Sequence, residues 1–173
     1  MNAIEFRRHL HAHPELSFRE HQTAAFISAR LSELGIENRP VAATGVLARI
    51  AGSAAPDRRA VVLRADIDAL PIDEQTGLAW SSCNAGVMHA CGHDMHAAML
   101  LGAAKLLKAH QSELKGTVKL VFQPDEEGFT GAKAMLKAGV LEAPEPQAAM
   151  ALHVNSGTPS GLVLCGKGTF MAG

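Results

Sequence analysis

Residues 94–128 read DMHAAMLLGAAKLLKAHQSELKGTVKLVFQPDEEG, and their reading decides the fold. From Asp94 to about His110 the apolar residues recur at helical spacing, which predicts a helix. Thr117–Phe122 is short, apolar and rich in β-branched residues, which predicts a strand. Gln123-Pro-Asp-Glu-Glu-Gly128 then sits at the carboxyl end of that strand and opens a second helical run, Phe129–Ala138. A strand framed by two helices is the repeating unit of a layered α/β fold.

The same alternation extends in both directions. Residues 3–13 and 18–34 carry apolar residues at helical spacing, broken at His13-Pro14-Glu15 because proline disfavours helix in the residue before it. Gly35 fits a helix C-cap. Val46–Ile50 and Ala60–Ala65 read as strands separated by a turn at Gly52–Asp57. Ala148–Val154 reads as a further strand, and residues 161–165 as a last one. The fold class expected is α/β, a layered domain with a largely parallel or mixed central sheet flanked by helices. Residues 66–92 lack periodicity and are rich in Asp, Cys, Asn, Gly and His. Long ordered loops of this kind are usually functional.

Bulk properties remove several function classes. The 173 residues are 47% apolar with a formal net charge of −1, so no basic stripe points to nucleic acid. The apolar runs are too short to cross a bilayer, so no membrane partner is expected. The first residues lack an apolar secretory core. Three cysteines, an odd number, argue against a disulfide framework and fit a reducing, cytoplasmic setting.

The chemistry-bearing groups cluster at strand ends. Met88-His-Ala-Cys-Gly-His-Asp-Met-His96 holds thiolate, imidazole and carboxylate, the groups that bind divalent first-row metals. Cys91 and His93 can reach one metal, with Gly92 allowing a tight turn between them. The alternatives are a buried cysteine beside a helix-capping histidine, or a nucleophilic Cys–His pair. Glu126-Glu127 reads either as two solvated acids at a helix N-terminus or as a metal ligand beside a free carboxylate that takes a proton from water. His153 is either a core histidine or a ligand, and Asp68 either a turn residue or the acid that orients the site. His89 and His96 rival His93 as ligand. His9, His11, His13 and His21 are expected on or between exposed helices, and Cys83 and Cys165 as inert buried thiols. In open sheets, ligands gather at the carboxyl ends of strands, where Asp66, Asp68, Glu126, Glu127 and His153 fall.

Taken together, five blocks resemble the metal-dependent amidohydrolases of the aminoacylase and carboxypeptidase G superfamily, in the branch of hippurate hydrolase and indole-acetyl-amino-acid hydrolases. The blocks are Arg7–Ser17, Leu63–Pro71, Met88–His96, Phe122–Gly128 and Ala151–Val154, in the family's order. The resemblance implies Cys91, His93, Glu127 and His153 as ligands of a divalent metal, expected as two ions (Mn, Zn, Co or Ni). It implies Glu126 as general base and Asp68 as the acid that orients the site. The implied reaction is hydrolysis of the amide of a small N-acyl-amino acid. Family members also carry a lid or dimerisation domain and a later histidine ligand. Residues 1–173 are thus expected to be the N-terminal portion of the catalytic domain, either active or binding metal without turnover. Exposed sheet edges are expected to favour a homo-oligomer.

Overall fold

The computed structural model describes residues 1–54 and 59–168. It contains α1 (Ala3–Ala12), α2 (His21–Glu33), β1 (Glu37–Val41), β2 (Gly45–Ala51), β3 (Ala60–Asp66), α3 (His93–Ala109), β4 (Thr117–Gln123), α4 (Gly131–Lys137) and β5 (Ala148–Ala151). A 3-10 turn at Gln111–Glu113 joins α3 to β4. The strands form one mixed sheet of order β1-β2-β4-β3-β5, antiparallel from β1 to β4 and parallel from β4 to β5. The α/β class expected from the alternation is the one observed.

Local chemistry sets the ends of the elements. Asn2 and Glu5 cap α1 reciprocally, side chain to backbone amide in both directions. At α2 the carboxylate of Glu15 accepts from the amides of Gln22 and Thr23, a cap delivered from the preceding turn. Gly35 takes φ +65° after α2, the left-handed conformation that suits glycine at a helix end.

The crossovers explain the layers. The β3–α3–β4 connection steps to one side of β3, and β4–α4–β5 steps to the other. Right-handed crossovers in opposite directions place their helices on opposite faces of the sheet. Accordingly, α1, α2 and α3 cover one face through Phe6, Leu10, Ile27, Leu31 and Leu101 against Val46, Ile50, Leu120 and Phe122. The other face is covered by Met135 and Val140 against Val41, Val62 and Val121. Strand β4 is buried along its whole length.

The structure departs from the sequence expectations at four places. Strand β1 is additional; its Pro40, which removes a backbone donor, is tolerated because β1 is an edge strand that, among the described residues, pairs only with β2. Strand β5 stops at Ala151 rather than Val154, and α4 starts at Gly131 rather than Phe129, whose φ is +59°. Residues 161–165 are not a strand. Part of the expected turn at Gly52–Asp57 lies outside the described residues. Among the described residues, no helix is long and apolar enough to cross a membrane.

Candidate metal centre

Strands β3 and β4 are neighbours whose chains leave toward opposite faces, so their carboxyl ends open a crevice at the switch point. Asp66 and Asp68 arrive there from β3, Glu126 and Glu127 from the turn after β4, and His93 from the first residue of α3. His153 follows β5 on the far side of β3.

His93 is fully buried and fixed by Asp68: Nδ1 lies 2.9 Å from the Asp68 carbonyl oxygen and 3.1 Å from its Oδ1. Both partners are acceptors, so Nδ1 carries the proton and Nε2 presents its lone pair. That Nε2 faces three carboxylates, at 3.8 Å from Asp66 Oδ2, 3.9 Å from Glu126 Oε2 and 3.8 Å from Glu127 Oε1. Among the described residues, neither His93 Nε2 nor Glu127 Oε1 has a hydrogen-bond partner although both atoms are buried. Buried polar atoms without partners are costly, and a cation among them would satisfy both.

Cys91 and His153 form the other half of the cluster, with Sγ 3.6 Å from Nε2. His153 Nδ1 donates to the Val154 carbonyl at 2.7 Å, leaving Nε2 to face Cys91. Cys91, His93 and His153 lie close enough to share one ion, and so do His93, Glu126 and Glu127. Both groups use the single free nitrogen of His93, so thiolate and imidazole on one side and carboxylates on the other converge on one donor cluster suited to a divalent cation. Gly92 makes the Cys91–His93 turn at φ +83°, and a Cβ there would lie 2.4 Å from Cγ2 of Val154. Only glycine fits both demands.

The electrostatics match a site built for cations. Burial pushes the Cys91 thiol up, and the negative charges of Glu127, Glu126 and Asp66 add to this, to about 11. A bound cation reverses that balance and deprotonates the thiol. For His93, burial favours the neutral ring, but the hydrogen bond to Asp68 and the nearby acids outweigh it and hold the pKa above the ordinary value. Asp66 is pushed up by burial, yet the bond from His96 and the charges of His93 and Arg64 bring it down to about 2.

Of the residues singled out in the sequence, Asp68, Cys91, His93, Glu126, Glu127 and His153 come together here. His89 does not: it is buried with both ring nitrogens unpartnered, and burial lowers its pKa to about 4. His96 is present but occupied, with Nδ1 2.5 Å from Asp66 Oδ1 and Nε2 accepting the Val154 amide at 3.0 Å. A third candidate group, Asp66, His93 and His96, thereby loses its second imidazole as a donor. His11 is buried, contrary to expectation, because it bridges Asp94 (2.8 Å) and Glu74 (3.1 Å) while Arg7 also binds Asp94. Cys83 and Cys165 are exposed rather than buried, and all three thiols are free. The sequence reading missed Ser17, which donates to Asp68 Oδ2 at 2.8 Å, and Glu20, which accepts the Asp125 amide at 2.9 Å. No spacing signal marks either one.

Comparison with known proteins agrees with this geometry. The chain is 50% identical to N-acetyl-L-cysteine deacetylase of Bacillus subtilis over 98% of its length and 40% of the relative's. It is 46% identical to IAA-amino acid hydrolase ILR1-like 5 of Arabidopsis thaliana, again over 98% of this chain and 40% of the relative. The chain thus spans about 40% of the length of these curated relatives. Its fold superposes on a Bacillus subtilis dinuclear metal-binding peptidase with TM-score 0.84 and 48% identity, covering 88% of this chain and 42% of that one. The model of peptidase family M20/M25/M40 matches residues 62–168. Carrying this match and this crevice, the chain belongs to the M20/M25/M40 peptidase family.

Proposed function

We propose that the chain carries the metal-binding and base-bearing half of an amidohydrolase that cleaves small N-acyl-amino acids. In this reading Cys91, His93, Glu127 and His153 hold two divalent ions, Asp68 orients His93, and Glu126 is the general base. Two buried atoms without partners, His93 Nε2 and Glu127 Oε1, lie 3.8 Å apart beside a free Glu126 carboxylate, and this observation carries the reading. The names of the two relatives, a deacetylase of N-acetyl-L-cysteine and a hydrolase of IAA-amino acids, support the substrate class.

Bound divalent metal would polarise the amide carbonyl and make a nearby water more acidic. Glu126, on the solvent side of the crevice, takes the proton from the attacking water and returns it to the leaving amine. Glu127 is held differently: its backbone amide donates to Asp68 Oδ2 at 3.0 Å, and its carboxylate is the less exposed of the two. In this reading the neighbouring glutamates divide into ligand and base. The 173 residues are, on the same reading, the N-terminal part of a catalytic domain, in a chain that spans about 40% of the length of its relatives. A reducing cytoplasm suits a ligand set that needs a free thiol.

Hydrolysis of hippurate and N-acetyl-amino acids with added Mn²⁺, Zn²⁺ or Co²⁺ tests the reading, with Glu126→Ala as the control. Turnover that disappears in Glu126→Ala supports it, and turnover equal in both proteins overturns it. A second reading, metal binding without turnover, is favoured by the exposure of His153 on the solvent side of the cluster. Tight metal binding with no hydrolysis by either protein would establish that second reading instead.

A further inference from the structure

His96 and Asp66 form a second buried acid–base pair in the crevice beside His93 and Asp68, yet neither is assigned a role in the chemistry above. They are 2% and 1% exposed. Asp66 Oδ2 accepts from Arg64 at 2.7 Å, and Arg64 is itself tied to Gln123 Oε1 at 2.9 Å. The other oxygen, Oδ1, meets His96 Nδ1, and His96 Nε2 accepts the amide of Val154. An ionised Asp66 accepts and an amide donates, so the two partners select the neutral ring with its proton on Nδ1.

The amide at the end of this chain belongs to the residue after His153. Strand β5 has already ended at Ala151. Among the described residues, the Val154–His96 bond is the one hydrogen bond from the backbone of residues 153–158 to another element. The Val154 side chain supplies a second anchor: it occupies the space over Gly92 that a Cβ would take, between Cys91 and His93.

We infer that His96 is a positioning residue: with Asp66 it forms a buried latch that holds the His153 backbone against the Cys91–His93 turn. The latch fixes where the His153 imidazole stands without touching a metal. The inference rests on the reading of His153 as a ligand for its consequence, but the latch itself is tested separately. His96 thereby acts through one backbone amide rather than as a rival ligand.

Two side chains divide the two contacts. His96→Gln places an acceptor about where Nε2 lies and keeps the Val154 bond, whereas His96→Asn reaches Asp66 only. Hydrogen exchange at the Val154 amide of the metal-free protein reads the latch directly. Protection is expected in the wild type and in His96→Gln and is lost in His96→Asn; equal protection in all three overturns the latch. Co²⁺ loading then reads the consequence through absorption spectra. His96→Asn is expected to keep the thiolate-to-cobalt band of Cys91, to change the ligand-field bands as His153→Ala does, and to bind about 10–100-fold more weakly. His96→Gln should match the wild type in both. If His153→Ala leaves Co²⁺ binding and spectra unchanged, the ligand reading fails while the exchange result still stands. If His153→Ala weakens binding and His96→Asn does not, the positioning role is overturned. Should His96→Asn fail to fold, His96→Gln against His96→Met, which keeps volume without a strong acceptor, makes the same comparison.

Discussion

Asp68 and His93 are joined twice, through the carbonyl oxygen at 2.9 Å and the carboxylate Oδ1 at 3.1 Å, and both contacts go to the same ring nitrogen. The other carboxylate oxygen receives the Glu127 amide at 3.0 Å and the Ser17 hydroxyl at 2.8 Å. One side chain therefore sets the tautomer of one proposed ligand and the backbone position of another. Partners that orient ligands in this way contribute about 10–100-fold in metal affinity. Asp68→Ala is expected to weaken Zn²⁺ or Mn²⁺ binding by about that factor while the far-ultraviolet circular dichroism stays wild type. Competition against a chelating dye measures it, and unchanged affinity would show that the two ligands are held without Asp68.

The high pKa of Cys91 gives metal binding a proton cost. Burial, then Glu127, Glu126 and Asp66, hold the thiol neutral up to about 11, so at neutral pH the ligand must lose a proton as the ion enters. Each proton displaced makes apparent affinity rise by about tenfold per pH unit below the thiol pKa. His93, whose pKa is also raised, adds a second proton below its own value. Titrations at several pH values from mildly acidic to mildly alkaline should show the rise. Cys91→Ala is expected to bind more weakly and to lose one proton from the slope. A slope that survives in Cys91→Ala would remove the thiolate from the coordination sphere.

Part of the proposed donor set was legible in the sequence because Glu126, Glu127 and His153 follow strand ends. Cys91 and His93 stand out by residue type at the close of a long aperiodic segment that opens a helix. The strand–helix alternation put Glu126, Glu127 and His153 on one edge, and the resemblance to the amidohydrolases singled out Cys91 and His93 to join them. What stayed hidden depends on contacts between distant segments. His11 pairs with Asp94 across the whole β1–β3 region, and nothing in its own helix distinguishes it from the less buried His9 and His13. Edge strand β1 carries proline and charge, a composition that propensity assigns to a loop and that sheet pairing overrides. His96 and His93 are equivalent as residue types three positions apart. Only the Asp66 and Val154 contacts, made across the sheet, separate the one that is occupied from the one that is free.

Glu20 predicts a pH dependence of stability away from the metal cluster. It is fully buried, accepts the Asp125 amide at 2.9 Å and also binds the Thr44 hydroxyl. Burial, only partly offset by the Thr44 and backbone hydrogen bonds, raises its pKa above the ordinary 4.5. The folded state therefore holds this proton more tightly than the unfolded state. Its stabilising contribution is complete below 4.5 and is lost as pH rises through the folded value. Glu20→Gln keeps an acceptor for Asp125 and removes the titration. Melting temperatures from pH 4 to 8 should show the variant gaining on the wild type as pH rises, as the linkage sign requires. Parallel profiles would show that Glu20 ionises as easily folded as unfolded.

Strand β5 predicts self-association. Among the described residues it pairs only with β3, so its outer edge presents unpaired backbone groups. All four of its residues are exposed, and Met150, Leu152, Leu162, Val163 and Leu164 add an exposed apolar surface in the same region of the chain. An open edge flanked by apolar side chains is a template for pairing with another chain, and charged residues there suppress it. Sedimentation velocity over a range of protein concentrations is expected to show association growing with concentration. Met150→Lys combined with Leu152→Lys should shift the population toward monomer without altering metal affinity by more than about twofold, since neither residue is among the proposed ligands. A wild-type protein that sediments as an 18.2 kDa monomer at every concentration would show that the β5 edge does not recruit a second copy.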